Sequence, residues 1–276
     1  MAISNWETLY TDVLILGSGG AGLCAALHLA EARPSPSVVI AVKGLFGKSG
    51  CTRMVQGGYN AVLHQPDSLE AHFRDTLEGG QWINHQELAW TLVREAPNRV
   101  LELENRVGCF FDRNPDGSVH QKPFAGQSHD RTVHKGDLTG IEIINRLSEQ
   151  VAALEPVILE ETRGVELIVD ESGGRVTGAL LLDLRKGSFV VVRAGATLLA
   201  TGGGPTMFKI TAASHDKSCD GVAMGFHAGA ELMDMEMVQF HPTGLLVGQN
   251  QISGTVLEEG LRGAGALLLN AEGERY

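Results

Sequence analysis

Cations are in short supply in this sequence. The 22 Lys and Arg stand against 33 Asp and Glu, a formal net charge of −11, and no Lys/Arg-rich run offers a local exception. That argues against a nucleic-acid footprint. Cysteine is equally sparse: Cys24, Cys51, Cys109 and Cys219 fall on no C-x-x-C or zinc spacing. A disulfide framework and a metal site are therefore not expected, and a reducing compartment is. No window approaches the roughly eighteen uninterrupted apolar residues of a membrane span. Met1 to Thr11 carries no apolar h-region of a secretory signal. There is no internal repeat and no low-complexity tract. With 276 residues, 43% of them hydrophobic, the chain can bury a large core. Its expected location is the cytoplasm, with membrane attachment only through a partner at the cytoplasmic face.

What is present is organised around Val13-Leu14-Ile15-Leu16-Gly17-Ser18-Gly19-Gly20-Ala21-Gly22-Leu23. An aliphatic run reads as a buried strand, Gly17, Gly19 and Gly22 fall on the G-x-G-x-x-G spacing, and Leu23 to Ala32 is periodic as a helix. Gly17 permits the tight turn, Gly19 lets backbone approach a pyrophosphate, and Gly22 lets the helix pack on the sheet with its N-terminus toward the phosphates. A second strand is expected at Val38–Val42. Where it ends, dinucleotide folds often carry Asp or Glu for an adenosine ribose. Here the residues are Val42-Lys43, which tells against a plain NAD site and leaves Lys43 for phosphate.

Gly44 to Gly58 is rich in glycine and cations, and its N–H groups and hydroxyls suit an extended ligand. Helices are expected over Ser68–Leu77, Gln86–Glu95 and Asn98–Leu103, with Pro97 separating the last two. Asn114-Pro115-Asp116-Gly117 marks a hairpin within Arg106–Gln121. A further helix is expected over Ile141–Leu154, capped by Asp137 or Thr139. Val157 to Val192 reads as an antiparallel meander of three or four strands. A separate strand, Ala196–Ala200, runs into Thr201-Gly202-Gly203-Gly204, and strand ends of that kind hold ligands in open α/β sheets. A helix follows over about Asp220–Ala230. The fold class is α/β.

Taken together these segments resemble the flavoprotein subunits of succinate dehydrogenase and fumarate reductase, a family that includes L-aspartate oxidase. The likeness runs from about Thr11 to the last residue. It rests on Gly17–Gly22, Gln56-Gly57-Gly58, Phe124-Ala125-Gly126-Gln127-Ser128, Arg131-Thr132 and Asp137-Leu138-Thr139-Gly140. It continues through Ala200-Thr201-Gly202-Gly203, Asp220-Gly221, Gln239-Phe240-His241-Pro242-Thr243-Gly244 and Glu259-Gly260-Leu261-Arg262-Gly263. The resemblance implies a Rossmann-like FAD-binding domain with an antiparallel meander, over 1–235 and incomplete, and the start of a capping domain over 236–276. It also implies FAD as cofactor and hydride transfer between flavin N5 and a C4 dicarboxylate.

Carried onto this chain, Gly17, Gly19, Gly20, Ala21 and Gly22 would take the pyrophosphate. Lys43, Ser49, Cys51, Thr52, Gln56, Gly57 and Gly58 would line the phosphates and isoalloxazine. Thr201, Gly202 and Gly203 would approach the adenine side, and Asp220 would bond the cofactor. Phe124 would pack on the dicarboxylate, His241 would donate to a carboxylate, and Glu259 could act in proton relay.

Three departures matter. Respiratory members carry a flavin-linking His where this chain has Cys51, so noncovalent FAD is expected. They carry a substrate-contacting Thr where this chain has Glu258, a second carboxylate that repels a dicarboxylate unless protonated or turned away. The sequence given stops at Tyr276, short of the family's proton-donating Arg, so about the first half of a flavoenzyme is expected, inactive alone. The resemblance leaves room for an iron–sulfur protein as electron-transfer partner. L-aspartate oxidase is the alternative enzyme, disfavoured because that branch has Glu where this chain has Phe124. A catalytically silent FAD-binding module is the non-enzymatic alternative.

Overall fold

A computed structural model describes residues 6–124, 126–241, 243–248, 253–257 and 259–275. The chain divides into two compact units, one of residues 1–54 and 144–242 and the other of 55–143 and 243–276.

The first unit is built on strand β1, Glu7–Leu16, followed by helix α1, Gly20–Leu29, and strand β2, Val38–Ala41. β1 and β2 are parallel, from Val13 opposite Val38 to Leu16 opposite Ala41. Leu14, Ile15 and Leu16 are at most 2% exposed, each worth about 1.5–3 kcal/mol in burial. β6, Val157–Leu159, adds to the outer edge of β2 in parallel. It is followed by β7, Thr162–Val169, β8, Val176–Asp183, and β9, Ser188–Leu199. The sheet order is β6-β2-β1-β9-β8-β7. The antiparallel meander is thus β7-β8-β9, and Val157–Leu159 belongs to the parallel half.

The expected break between Val192 and Ala196 does not occur. β9 pairs antiparallel with β8 through Ser188–Arg193 and runs parallel to β1 to its end. Gly195 keeps it continuous, since a Cβ there would sit 3.1 Å from the Asp12 carbonyl oxygen. Helix α5, Asp220–His227, seals the sheet with Met224, which joins Leu14, Leu16, Leu167, Leu181 and Val192 in the core.

In the second unit, α2, Leu69–Gly79, is capped by Ser68, whose hydroxyl accepts from Ala71 N–H at 3.1 Å. Helix α3 runs unbroken over Gln86–Glu102 with Pro97 inside it, which corrects the expected split. Proline removes one hydrogen bond, and the buried stripe Ala89, Val93, Ala96 and Val100 holds the helix together across the gap. α2 and α3 meet edge-to-face through Phe73 and Trp90, centroids 5.3 Å apart. The hairpin turn closes with Gly117 N–H on the Asn114 carbonyl and an Arg113–Val119 bridge. A small sheet orders β3, Tyr59–Asn60, β5, Thr132–Val133, and β4, Gln121–Lys122, as β3-β5-β4.

Beneath it lies Arg131, 1% exposed, whose guanidinium bonds Asp67 through Nε and Nη2 and Asp75 through Nη1. The division between units falls within α4, Thr139–Ala152, and α6, Glu259–Gly263, is the last helix. Among the described residues no helix is long and apolar enough to cross a membrane. No group of three or more His, Cys, Asp or Glu among them is placed to hold a metal.

Candidate functional site

At the end of β1, Gly17 has φ +112° and its N–H donates to the Ala41 carbonyl at 2.8 Å. A side chain there would overlap the Ala200 carbonyl, and one at Gly22 would overlap the Gly17 carbonyl. The turn itself therefore requires these two glycines. Gly19 differs. It caps α1 at φ −76° and ψ −177°, an extended conformation open to any residue, with no side-chain cap. The nearest atom to a Cβ there is Thr52 Oγ1 at 3.4 Å. Fold does not require glycine at 19, whereas close approach of a ligand does.

The first-turn N–H groups of a helix have no carbonyl inside it to bond, and that of Gly20 goes to Thr52 Oγ1 at 3.0 Å. The Ser18 hydroxyl is buried without a partner among the described atoms. No acidic residue occupies the first turn of α1, so the positive end of the helix dipole is left for an anion.

This turn opens on a cavity of about 580 Å³ within the first unit. Of the sequence-predicted residues, Gly17, Gly19, Gly20, Ala21, Lys43, Ser49, Cys51, Thr52, Thr201, Gly202 and Asp220 line it. Gly22 and Gly203 do not. Gln56, Gly57 and Gly58 belong to the second unit. The cavity has a charged flank. Lys43 Nζ donates to Asp220 Oδ2 at 3.0 Å, Ser218 Oγ at 2.7 Å and the Asp216 carbonyl at 3.2 Å, and Arg163 Nη2 donates to Asp220 Oδ1 at 2.7 Å. Burial pushes the Asp220 carboxyl up, but the Lys43 bond and charge and the Arg163 charge hold it below the usual carboxylate range. The Cys51 thiol is free and accepts from Ser214 N–H at 3.3 Å.

Sequence reading missed Arg163, Asp216, Lys217 and Ser218. The last three were signalled by a polar run just before Asp220. Arg163 gave no sign, because its place depends on β7 starting beside the end of β2. An anion cradle at the glycine turn joined to a cation-rich flank fits a pyrophosphate-linked dinucleotide.

In the second unit the Phe124 ring lies on Gly57, where a Cβ would be 2.9 Å from Cζ. The Lys122 ammonium stands 5.4 Å from the ring centroid. Gly58 has φ +151°, and a side chain there would overlap the Val133 carbonyl. Thr139 Oγ1 points at the Gln56 and Gly57 carbonyls, at 3.5 and 3.4 Å, so α4 pins that segment. Gly263 of α6 packs against Pro123, its Cβ position 2.7 Å from the carbonyl oxygen. The structure thus gathers Gln56–Gly58, Phe124 and the short helix that Glu259 opens. His241 is half-buried in the first unit, and Glu258 lies outside the described residues.

A further cluster links Asp112, His134 and His120. His134 Nε2 is 2.7 Å from His120 Nδ1 and His134 Nδ1 is 3.2 Å from Asp112 Oδ2.

The match to known proteins covers nearly the whole chain. An uncharacterized FAD-dependent oxidoreductase of Methanocaldococcus jannaschii is 48% identical over 96% of this chain and 47% of its own length. One subunit of the CoM/CoB fumarate reductase of Methanothermobacter marburgensis is 43% identical over 98% of this chain and 49% of its own. A solved structure of a mutant FrdA from E. coli quinol fumarate reductase superposes with a TM-score of 0.90 at 34% identity, over 97% of this chain and 44% of that one. The chain therefore spans about half the length of the relatives it matches. The family model described as FAD binding domain matches residues 12–276, the cofactor that this cradle fits is FAD, and the chain belongs to the FAD-binding-domain family.

Proposed function

We propose that this chain is the flavin-binding part of an FAD-dependent oxidoreductase of the succinate dehydrogenase and fumarate reductase type, acting on a C4 dicarboxylate. The observation that carries the reading is the glycine turn at Gly17–Gly22, open to a cavity and without fold reason for glycine at 19. The relatives named fumarate reductase support the substrate class. FAD supplies reversible two-electron acceptance at its N5. The chain's own residues bind and orient. The α1 N-terminus, Ser18 and Thr52 hold the pyrophosphate, Lys43 adds charge for the phosphates, Thr201 and Gly202 approach the adenine side, Asp220 bonds the cofactor, and Gln56–Gly58 line the isoalloxazine. Phe124, fixed on Gly57, packs on the dicarboxylate. His241 donates to a carboxylate, and Glu259 relays a proton. The cofactor is held noncovalently, with Cys51 an ordinary thiol. Residues 236–276 begin a capping domain, and an iron–sulfur protein is the electron partner, at the cytoplasmic face of a membrane.

The test uses the FAD-loaded chain and needs no turnover. Fumarate and succinate should shift the flavin absorption spectrum saturably, and His241→Ala should weaken that binding about tenfold or more, as loss of one hydrogen bond to a charged group does. Turnover with a dye acceptor is expected at background, because the chain spans about half the length of the relatives it matches. A spectrum that dicarboxylates leave unchanged would overturn the substrate class. A shift with L-aspartate in preference to succinate would replace it.

A further inference from the structure

The end of β2 and the start of β7 lie side by side: Thr162 N–H donates to the Val42 carbonyl at 2.9 Å and Glu161 N–H to that of Gly44 at 2.8 Å. In dinucleotide-binding βαβ folds the end of the second strand is where an acidic side chain holds the adenosine ribose. This chain has Lys43 there, its ammonium 3.0 Å from the carboxylate of Asp220 at the first turn of α5. Both Asp220 oxygens are engaged, Oδ2 by Lys43 and Ser218 and Oδ1 by Arg163.

Two cations face the Asp220 carboxylate, and with Lys217 and Asp216 also lining the cavity its charged side chains leave one surplus positive charge. Lys43 is 31% exposed and Asp220 only 11%, whereas the Arg163 side chain is 48% exposed and lines the cavity. An ion pair so open to water adds little stability, and Lys43 already compensates Asp220. A structural role thus leaves Arg163 largely unexplained. Its guanidinium carries five N–H donors in a plane that stacks on aromatic faces, and Asp220 fixes one end of that plane.

We propose that Arg163 is an adenosine-reading residue: held by Asp220, its guanidinium contacts the ribose–adenine half of the bound dinucleotide and selects an adenosine-bearing flavin over a mononucleotide. The assignment rests on the cofactor reading above and adds to it a specificity determinant that came from tertiary structure alone.

The experiment measures affinities of the full chain for FAD and FMN by flavin fluorescence, and for ADP by displacement of FAD. Arg163→Ala should weaken FAD and ADP by the same factor, about tenfold or more as for a lost hydrogen bond to a charged group. FMN affinity and the melting temperature of the unliganded chain should not change. Arg163→Lys should restore only part of the loss, because an ammonium keeps the charge without the fork or the plane. Unchanged FAD affinity in Arg163→Ala would refute the assignment. An equal loss for FMN would refute it too, by marking Arg163 as structural. A parent chain that binds no FAD would overturn the cofactor reading itself, a result visible before any variant is made, and this assignment would fall with it.

Discussion

Replacing Gly19 by valine separates what the fold needs from what the cofactor needs. Glycine at 19 sits at φ −76° and ψ −177°, which β-branched residues adopt readily. The only described neighbour within 4 Å of a Cβ is Thr52 Oγ1, at ordinary contact distance. Exchanging glycine for a residue that tolerates the native backbone stabilises by about 0.4–1 kcal/mol through the unfolded state. Valine is a poorer N-cap than glycine, which offsets that gain, so the variant should melt close to the parent temperature.

Its FAD affinity should collapse, because the valine methyls occupy the space through which a pyrophosphate reaches the α1 N-terminus. Losing even one hydrogen bond to a charged group costs about 1.5–3 kcal/mol, a ten- to hundredfold weakening on the roughly 1.4 kcal/mol per decade scale. Gly22→Val is the contrast: its Cβ overlaps the Gly17 carbonyl, so that variant should lose the fold as well as the ligand. Thermal melting and flavin fluorescence quenching read both quantities. A Gly19→Val chain that binds FAD like the parent would refute the cradle, and one that unfolds like Gly22→Val would refute the separation of roles.

Three other outcomes are expected. Acid precipitation should release all FAD from the loaded chain, leaving a colourless pellet; yellow protein lost on Cys51→Ser would instead reveal a thioether. Arg131→Met leaves Asp67 and Asp75 without their buried partner and should cost about 3–5 kcal/mol, read as a fall in the urea midpoint at unchanged m-value; a loss below about 1 kcal/mol would contradict a buried network. Burial, aided by the Lys122 and His120 charges against the raising pull of Asp112, holds the His134 pKa below its ordinary value. The unfolded chain then binds more protons than the folded one below about pH 6.5. Stability is therefore complete above that pH and is lost on acidification toward the folded pKa, and His134→Gln should flatten that slope in melting temperature against pH.

Much of the site's first half was legible because it is local. The β1–turn–α1–β2 unit follows from an aliphatic run, glycine spacing and helical periodicity within thirty-odd residues, although β1 starts at Glu7, before the aliphatic run, and α1 ends at Leu29, short of Ala32. Helix α1 begins at Gly20 and not at Leu23, since glycines that read as loop supply the first turn. Pro97 misled for a related reason: the rule that proline breaks a helix weighs one hydrogen bond, and the buried stripe on α3 outweighs it. Long-range pairing was invisible. Nothing near Val157 shows that β6 joins β2 while β7 turns back against β8, nor that Gly195 lies inside a strand. Arg163 depends wholly on such pairing, because its neighbours Lys43 and Asp220 are far from it in sequence. Glu258 and Pro242 lie outside the described residues, so the motifs that contain them are known by pattern more than by geometry.

The central claim is that the cavity at Gly17–Gly22 binds FAD, and a titration of the unliganded chain with FAD tests it most directly. One FAD should bind per chain, with a visible flavin band that survives gel filtration and a melting temperature that climbs with ligand. At a hundredfold excess over Kd the stabilisation should reach about 2.7 kcal/mol. Flavin that washes through entirely, with a melting temperature indifferent to FAD, would contradict the account.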